Sequence, residues 1–175
     1  MRLTGILAAA ALLLSAGIGA ADDGAITLHG RDAKVHGTKL RYEPEPHKQT
    51  LGFWTQAGDA AEWSFHAART GDYDIEVLQG CGAGQGGSTM QVAIDAGRDG
   101  APAAFDFTVE ETGHFQAFKP RGIGRVNLAA GDHTLRIQPQ SIAKAACCDI
   151  RTVRLVPVAS VVKPTKRPNI IFIFS

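Results

Sequence analysis

The chain has 175 residues, of which 45% are hydrophobic and 20% charged, and its net charge at pH 7 is +1. This composition is typical of an ordinary folded protein and excludes the disordered and collagen-like classes. Because lysine and arginine are interspersed with aspartate and glutamate, the sequence offers no basic patch for nucleic acid or for an anionic membrane surface.

The first 21 residues predict an export signal. Arg2 provides a positive start, an apolar run of signal-peptide length covers residues 6–18, and Gly19 and Ala21 are the small residues of a cleavage site. This run is too short to cross a bilayer, which takes about 20 apolar residues. We therefore expect a signal helix in residues 1–21, a secreted or periplasmic location, and no membrane attachment after cleavage.

Between residues 22 and 158 the chain consists of short stretches in which apolar and polar residues alternate, as they do in β-strands. Tyr73, Ile75 and Val77 give the clearest example, because all three fall on one face. Turn-forming residues separate the stretches at intervals of about eight to twelve residues, which indicates an all-β, antiparallel jelly-roll β-sandwich. The predicted strands are residues 25–28, 39–42, 51–55, 61–66, 72–78, 89–95, 104–109, 115–118, 125–128, 133–138 and 149–155.

The last predicted strand keeps its apolar residues on one face only if it bends near Thr152. After residue 158 the alternation stops, and residues 159–167 contain the prolines and lysines of an extended linker. Residues 170–174 then form an apolar run typical of a strand that is buried on both faces of a parallel sheet. We therefore predict a domain boundary at the linker and a separate strand in residues 168–175.

Three cysteines lie in the predicted sandwich: Cys81, Cys147 and Cys148. In an oxidising compartment two of them can form a disulfide, but unpaired, buried cysteines are equally consistent with the sequence. Neighbouring side chains of a strand point to opposite faces, so we expect at most one of Cys147 and Cys148 to face the core. Their spacing does not fit a zinc site.

Candidate ligand-binding residues are concentrated in residues 42–54. Trp54 ends a predicted strand and can stack on the apolar face of a sugar ring, or it can pack at the rim of the sandwich. Tyr42 is a second candidate aromatic residue. Prolines keep the following backbone extended, so Glu43 and Glu45 project to one side. Together with His47 they can bind hydroxyl groups or a cation, although a solvated loop is the alternative interpretation.

A glycine-rich loop, QGCGAGQGGS, covers residues 79–88. It lacks the lysine and the following helix of a phosphate-binding loop, so we predict a sharp, closely packed turn between strands. At the end of a sandwich this turn can lie beside His114 and Gln116 and form a pocket with them. His114 is more commonly a structural hydrogen-bonding residue than a catalyst.

The stretch GDAAEWSFHAARTGDYDIEVLQGCG, residues 58–82, resembles the galactose-binding-like jelly rolls, in particular carbohydrate-binding modules of families 6 and 35. AGDHTLRI and DIRTVRL resemble the last two strands of these modules, and the resemblance implies their fold. Such modules often hold a structural calcium, and Asp149 matches one of its ligands. His29 and Arg31 stand where other carboxylates would be expected, so we predict no metal site here and an Arg31–Asp149 ion pair instead.

HGTKLRYEPEPHKQTLGFWT, LQGCGAGQGGS and ETGHFQAF together resemble the sandwich domain that precedes the catalytic domain of many bacterial secreted sulfatases. RPNIIFIFS resembles the first strand of that catalytic domain. The resemblance implies a non-catalytic module in residues 22–158 and the truncated start of a sulfatase domain in residues 168–175. That domain would act in cis on sulfated polysaccharide. Its calcium and formylglycine are expected only in the missing part, so we predict no cofactor and no catalytic residue in this chain.

Two alternatives remain open. The first is a free-standing, lectin-like carbohydrate-binding protein whose apolar tail packs on its own sandwich. The second is an enzyme that uses Glu43, Glu45 or His114 as acid and base. The enzyme is the weaker hypothesis, because nothing in the sequence places these residues at a workable separation.

Overall fold

The computed structural model describes residues 24–95 and 103–159. Within these ranges the chain forms eleven β-strands and one short 3-10 helix, and the strands pair in two antiparallel sheets. The predicted all-β jelly-roll sandwich is therefore confirmed. The predicted signal in residues 1–21, almost all of the linker and the strand in residues 168–175 lie outside the described ranges. No helix in those ranges has the length and apolar character needed to cross a membrane.

The first sheet has the strand order β3-β4-β11-β6-β9, and β1 also pairs with β11. The second sheet has the order β2-β5-β10-β7-β8. The 3-10 helix, residues Gly30–Asp32, connects β1 to β2. In chain order the strands are β1 (Ile26–His29), β2 (Lys34–His36), β3 (Arg41–Glu43), β4 (Thr50–Gly52), β5 (Ala60–Ala67), β6 (Gly71–Gly80), β7 (Thr89–Ile94), β8 (Ala103–Thr108), β9 (Lys119–Leu128), β10 (Gly131–Ser141) and β11 (Asp149–Pro157).

The core lies between the two sheets and contains the apolar residues of the alternating strands. Ile75 and Val77 of β6 are fully buried on one side, and Leu135 and Ile137 of β10 are fully buried on the other. Burying a side chain of this size contributes about 1.5–3 kcal/mol, so this pattern is what fixes the register of each strand.

Ten of the predicted strands overlap observed strands, but some differ in extent: β9 begins at Lys119, six residues before the predicted start, and β4 ends at Gly52, three residues before the predicted end. A register shift between Ile150 and Thr152 confirms the predicted bend of the last strand. Strand β2, which has only three residues, was not predicted. The prediction of a strand in residues 115–118 is wrong. This segment is a loop that crosses directly over β6, where a Cβ on Gly80 would clash with the carbonyl group of Phe115.

All three cysteines are buried and unpaired. The Sγ of Cys81 donates a hydrogen bond to the carbonyl oxygen of Cys147 at 3.4 Å. The expectation that at most one of Cys147 and Cys148 faces the core is wrong, because both residues precede β11 in a loop where strand alternation does not apply. Burial raises the pKa of Cys81 to about 11, so its thiol is protonated and unreactive at neutral pH.

Candidate functional site

A pocket of about 330 Å³ opens at one end of the first sheet. Four segments meet there: the end of β3 with the loop after it, the loop after β4, the loop before β9, and the start of β11 with the loop before it. We call it the Gly52 pocket, after the residue at the end of β4 that lies between its two carboxylates. It is lined by Glu43, Lys48, Phe53, Thr55, Phe115, Gln116, Ala146 and Asp149.

Phe53 supplies an exposed aromatic ring to this pocket. With 42% of its surface accessible, it is the one exposed large hydrophobic residue in the described part of the chain. Its neighbour Trp54 is fully buried, and the backbone carbonyl of Trp54 accepts a hydrogen bond from the amide of Cys147 at 2.9 Å. This anchor turns Phe53 outward with a φ of 65°. A bulky side chain rarely adopts that value, which costs on the order of 1–3 kcal/mol.

Arg41 holds the exposed ring in place. The central carbon of its guanidinium lies 3.4 Å from the centroid of the Phe53 ring. A cation–π contact at an exposed position contributes about 0.5–1 kcal/mol. This contact favours one orientation of the ring before any ligand arrives, which lowers the entropy cost of stacking on it.

Two carboxylates converge beside Gly52. Each has one oxygen bonded to a protein donor: Lys48 Nζ donates to Glu43 Oε1 at 2.6 Å, and Gln116 Nε2 donates to Asp149 Oδ2 at 3.1 Å. A Cβ at Gly52 would lie 2.5 Å from Glu43 Oε2 and 3.0 Å from Asp149 Oδ1. The two remaining oxygens are therefore no farther apart than the sum of these distances, and the missing side chain of Gly52 leaves the space between them open.

Asp149 is the titratable group of this site. It is 4% exposed, and burial together with the nearby charge of Glu43 raises its pKa to about 7. The hydrogen bond from Gln116 and the charge of Lys48 oppose this rise only in part. Lys48 has a raised pKa because it donates to Glu43, so its ammonium stays charged. The carboxylate pair thus holds an exchangeable proton near neutral pH.

Arg151 connects two walls of the pocket. Its guanidinium donates to the carbonyl oxygen of Lys48 from Nε at 2.9 Å and from Nη2 at 2.7 Å, and to that of His47 at 2.9 Å. Its central carbon also lies 3.9 Å from the centroid of the Phe118 ring. One side chain therefore supports the loop that carries Lys48 and the loop that carries Gln116. Nothing in the sequence signals this role, because Arg151 occupies an ordinary polar position of a strand.

Of the residues predicted from sequence, Glu43 and Gln116 line the pocket. Glu45 and His47 are exposed on the loop between β3 and β4, and Glu45 lies 4.0 Å from Lys48. His114 is also exposed, and its Nδ1 accepts a hydrogen bond from the backbone amide of Gln116 at 3.2 Å. His114 therefore shapes the loop that carries Gln116.

The other two predicted aromatic residues lie outside this pocket. Tyr42 is half-buried, packs against the core and lines a separate cavity of about 160 Å³. Trp54 offers no stacking surface, because its indole is buried in the core and donates to the carbonyl oxygen of Asp59 at 3.3 Å. Strand β4 ends at Gly52, so its alternation does not extend to Phe53 and Trp54, and the exposed ring is the preceding residue.

The predicted Arg31–Asp149 ion pair is also wrong. Arg31 pairs with its neighbour Asp32 at 3.7 Å, whereas Asp149 bonds Gln116 inside the pocket. Within the described ranges no three His, Cys, Asp or Glu side chains are grouped as metal ligands.

No protein-family model matches the chain, and no curated protein matches its sequence. Solved structures match its fold. A family 35 carbohydrate-binding module from Clostridium thermocellum is 18% identical, with 77% of this chain and 98% of the module covered and a TM-score of 0.58. The C-terminal family 6 module of a marine laminarinase from Zobellia galactanivorans is 15% identical, with 75% and 98% covered and a TM-score of 0.60.

A third match is the GH26-CBM35 β-(1,4)-mannanase of Podospora anserina, which is 20% identical over 79% of this chain with a TM-score of 0.55. The chain spans only 28% of that enzyme, but it spans nearly all of the two isolated modules. At these identities the likeness concerns the fold. The chain has the β-sandwich fold of carbohydrate-binding modules of families 6 and 35.

Proposed function

We propose that the chain is a non-catalytic glycan-binding module and that the Gly52 pocket is its binding site. The observation that carries this proposal is the exposed ring of Phe53, which is held at a strained backbone angle beside two carboxylates and an amide. Sugars present an apolar face of C–H groups that packs on aromatic rings, and hydroxyl groups that need hydrogen-bond partners. The pocket offers both kinds of contact.

The matched structures add support of a weaker kind. Two of them are described as carbohydrate-binding modules, and the mannanase contains one. A shared fold does not determine a ligand, so the glycan is argued from the pocket itself.

Binding of polysaccharides to the purified chain, measured by affinity electrophoresis and on a glycan array, tests this proposal. We expect Phe53→Ala to lower the affinity for the bound glycan by about 10- to 100-fold, because the stacking surface is lost. Phe53→Tyr keeps the ring and is the matched control, with affinity near that of the wild type. The absence of any bound glycan, or an unchanged affinity of folded Phe53→Ala, would contradict the proposal.

One observation favours a second function, glycoside hydrolysis. The unbonded oxygens of Glu43 and Asp149 are at most about 5.5 Å apart, which permits the carboxyl separation of about 5–5.5 Å found in retaining glycosidases, and the pKa of Asp149 is raised to about 7 as in a general acid. Glu43, however, is neutralised by Lys48, which weakens it as a nucleophile. Turnover of aryl glycosides that disappears in Asp149→Asn would favour hydrolysis over binding.

We further propose that this module serves a sulfatase catalytic domain in the same polypeptide and helps it act on sulfated polysaccharide. This finer proposal is supported only by the sequence resemblance, and residues 168–175 lie outside the described ranges. The coding DNA that follows Ser175 tests it. An Asp-Asp pair directly after Ser175 and a formylglycine motif some tens of codons later are expected, whereas DNA without these motifs would refute it.

The proposed export is tested separately. Expression of the whole chain in a bacterial host should give protein in the periplasm or medium whose first residue is Asp22. A protein that stays in the cytoplasm and begins with Met1 would refute the predicted signal.

A further inference from the structure

The Gly52 pocket also limits the chemical class of its ligand, an inference that depends on the proposed glycan-binding function. Glu43 Oε2 and Asp149 Oδ1 face the space beside Gly52, and no donor from the described residues reaches either oxygen. Ionised carboxylate oxygens are acceptors only. A ligand that enters this space when Asp149 is ionised must therefore supply hydrogen-bond donors in order to replace the water that it displaces. Below pH 7, where Asp149 is largely protonated, a cationic ligand must also displace that proton.

The charges around the pocket disfavour an anionic ligand. Lys48 is the cation that lines it, and its ammonium is already bonded to Glu43. Arg41 lies on the Phe53 ring, and Arg151 donates to loop carbonyl groups. A sulfate or uronate group beside Gly52 would meet two carboxylates, and Lys48, the cation among the lining residues, is already paired with Glu43, so the desolvation of the anion would be poorly offset.

An ammonium group matches this geometry better than a hydroxyl group. A hydroxyl carries one hydrogen and can donate to only one of the two oxygens, whereas an ammonium carries three. Charge-assisted N–H···O bonds are about 2.7–2.9 Å long, so a nitrogen between the two oxygens can bond both across the separation that the Gly52 distances allow. A cation there would also relieve the repulsion between the carboxylates.

We propose that the Gly52 pocket binds a glycan that carries a free amino group, with the protonated amine seated between Glu43 and Asp149 and the sugar ring stacked on Phe53. Neutral sugars bind more weakly at the same place, and sugars that carry sulfate or carboxylate at the corresponding position bind least.

Titration of Asp149 gives a second signature. Its pKa is about 7 without ligand, and a neighbouring ammonium lowers the pKa of a carboxylate. The other titratable or polar groups that interact with Asp149 are Glu43, Lys48, Cys81, Cys148 and Gln116. Binding of an amino sugar at pH 6.5 should therefore release protons, whereas binding of a neutral sugar should not.

The test compares four β-(1,4)-linked trisaccharides of glucose, which carry a hydroxyl, a free amine, an N-acetyl or an N-sulfo group at position 2. The same four substituents are also compared on a galactose trisaccharide. Isothermal titration of the full chain at pH 6.5, in two buffers of different ionisation enthalpy, gives affinity and proton release together. We expect the amine series to bind at least tenfold tighter than the hydroxyl and N-acetyl series, with proton release, and the N-sulfo series to bind least.

Two variants assign the preference to the pocket. Asp149→Asn keeps an acceptor for Gln116 but removes the charge, so the ratio of amine affinity to hydroxyl affinity should fall at least tenfold. Gly52→Ala places a methyl group between the two oxygens and should abolish binding of the amine. Gly58→Ala is the matched control, because an added Cβ at Gly58 has no neighbour within 4 Å.

The outcomes separate the two proposals. Equal affinity for amine and hydroxyl sugars, tighter binding of the N-sulfo series, or an amine preference that survives in Asp149→Asn would overturn the amino-sugar assignment and leave glycan binding intact. Failure of the chain to bind any member of either series or any glycan on the array would overturn both.

Discussion

Replacing Asp149 by asparagine should stabilise the protein in a pH-dependent way. The pKa of Asp149 rises from its ordinary value of 3.8 to about 7 in the folded state, because the side chain is buried beside Glu43. A carboxyl group with a raised folded-state pKa favours folding when it is protonated. Its contribution is complete below about pH 4 and is lost as the pH rises through 7. An asparagine side chain at this position would be neutral at every pH and has nearly the same shape.

Each unit of pKa difference corresponds to about 1.36 kcal/mol, and integration between pH 8 and pH 5 gives the wild type about 2–3 kcal/mol of stability from this group. The advantage of Asp149→Asn over the wild type should therefore grow by the same amount from pH 5 to pH 8. Above pH 5 the other buried carboxylate, Asp59, does not interfere, because its pKa is lowered.

The assay is urea unfolding at several pH values between 5 and 8, followed by the fluorescence of Trp54 and Trp63, which are both buried. The control is Asp106→Asn, which replaces an exposed carboxylate of β8. Its free energy of unfolding relative to the wild type should show no comparable pH trend. A stability difference between Asp149→Asn and the wild type that stays constant within about 0.5 kcal/mol across this range would refute the reasoning about burial and like charge.

Three further outcomes are expected. Burial acts to raise the pKa of Asp59, but hydrogen bonds from three backbone amides at 2.7–3.0 Å outweigh burial and lower it. Asp59→Ala removes these bonds and should lower the free energy of unfolding, measured in urea, by about 3–5 kcal/mol. A loss below about 1 kcal/mol would contradict this. Arg151→Lys cannot retain all three bonds to the loop, so glycan affinity should fall several-fold; unchanged affinity would show that the loop is held otherwise. The three cysteines should resist a thiol reagent at pH 8 until urea unfolds the protein, and rapid labelling of the native state would contradict their burial.

The strands were predictable where one face of a strand packs on the core. In β6 the inward positions Tyr73, Ile75 and Val77 are apolar and the positions between them are polar, so the local sequence carries the tertiary information. Residues 115–118 show the opposite case. They contain two phenylalanines, yet no strand is available to pair with them, and the backbone instead crosses Gly80. Only the arrangement of distant strands determines that outcome.

The site was predictable only in part, for the same reason. Glu43 and Gln116 were recognised as polar residues near expected loops, but their partner Asp149 was assigned a different neighbour. Gln116 and Asp149 are 33 residues apart and meet because the loop before β9 folds over the start of β11. The sequence analysis selected Trp54 and not Phe53. Strand β4 ends at Gly52, and beyond the end of a strand the sequence does not show which of two adjacent aromatic residues points into the core.

Phe53 and Asp149 are both unfavourable for folding, and both line the same pocket. Phe53 has a positive φ that glycine or asparagine would adopt more easily, and Asp149 is a carboxylate buried beside another carboxylate. A chain selected for stability alone would carry an uncharged residue at 149 and a small one at 53. Local costs that the rest of a fold must offset occur preferentially where a protein binds or reacts. Their coincidence at Gly52 is therefore an argument for a binding site that is independent of the fold comparison, since it would hold for a sandwich of any family.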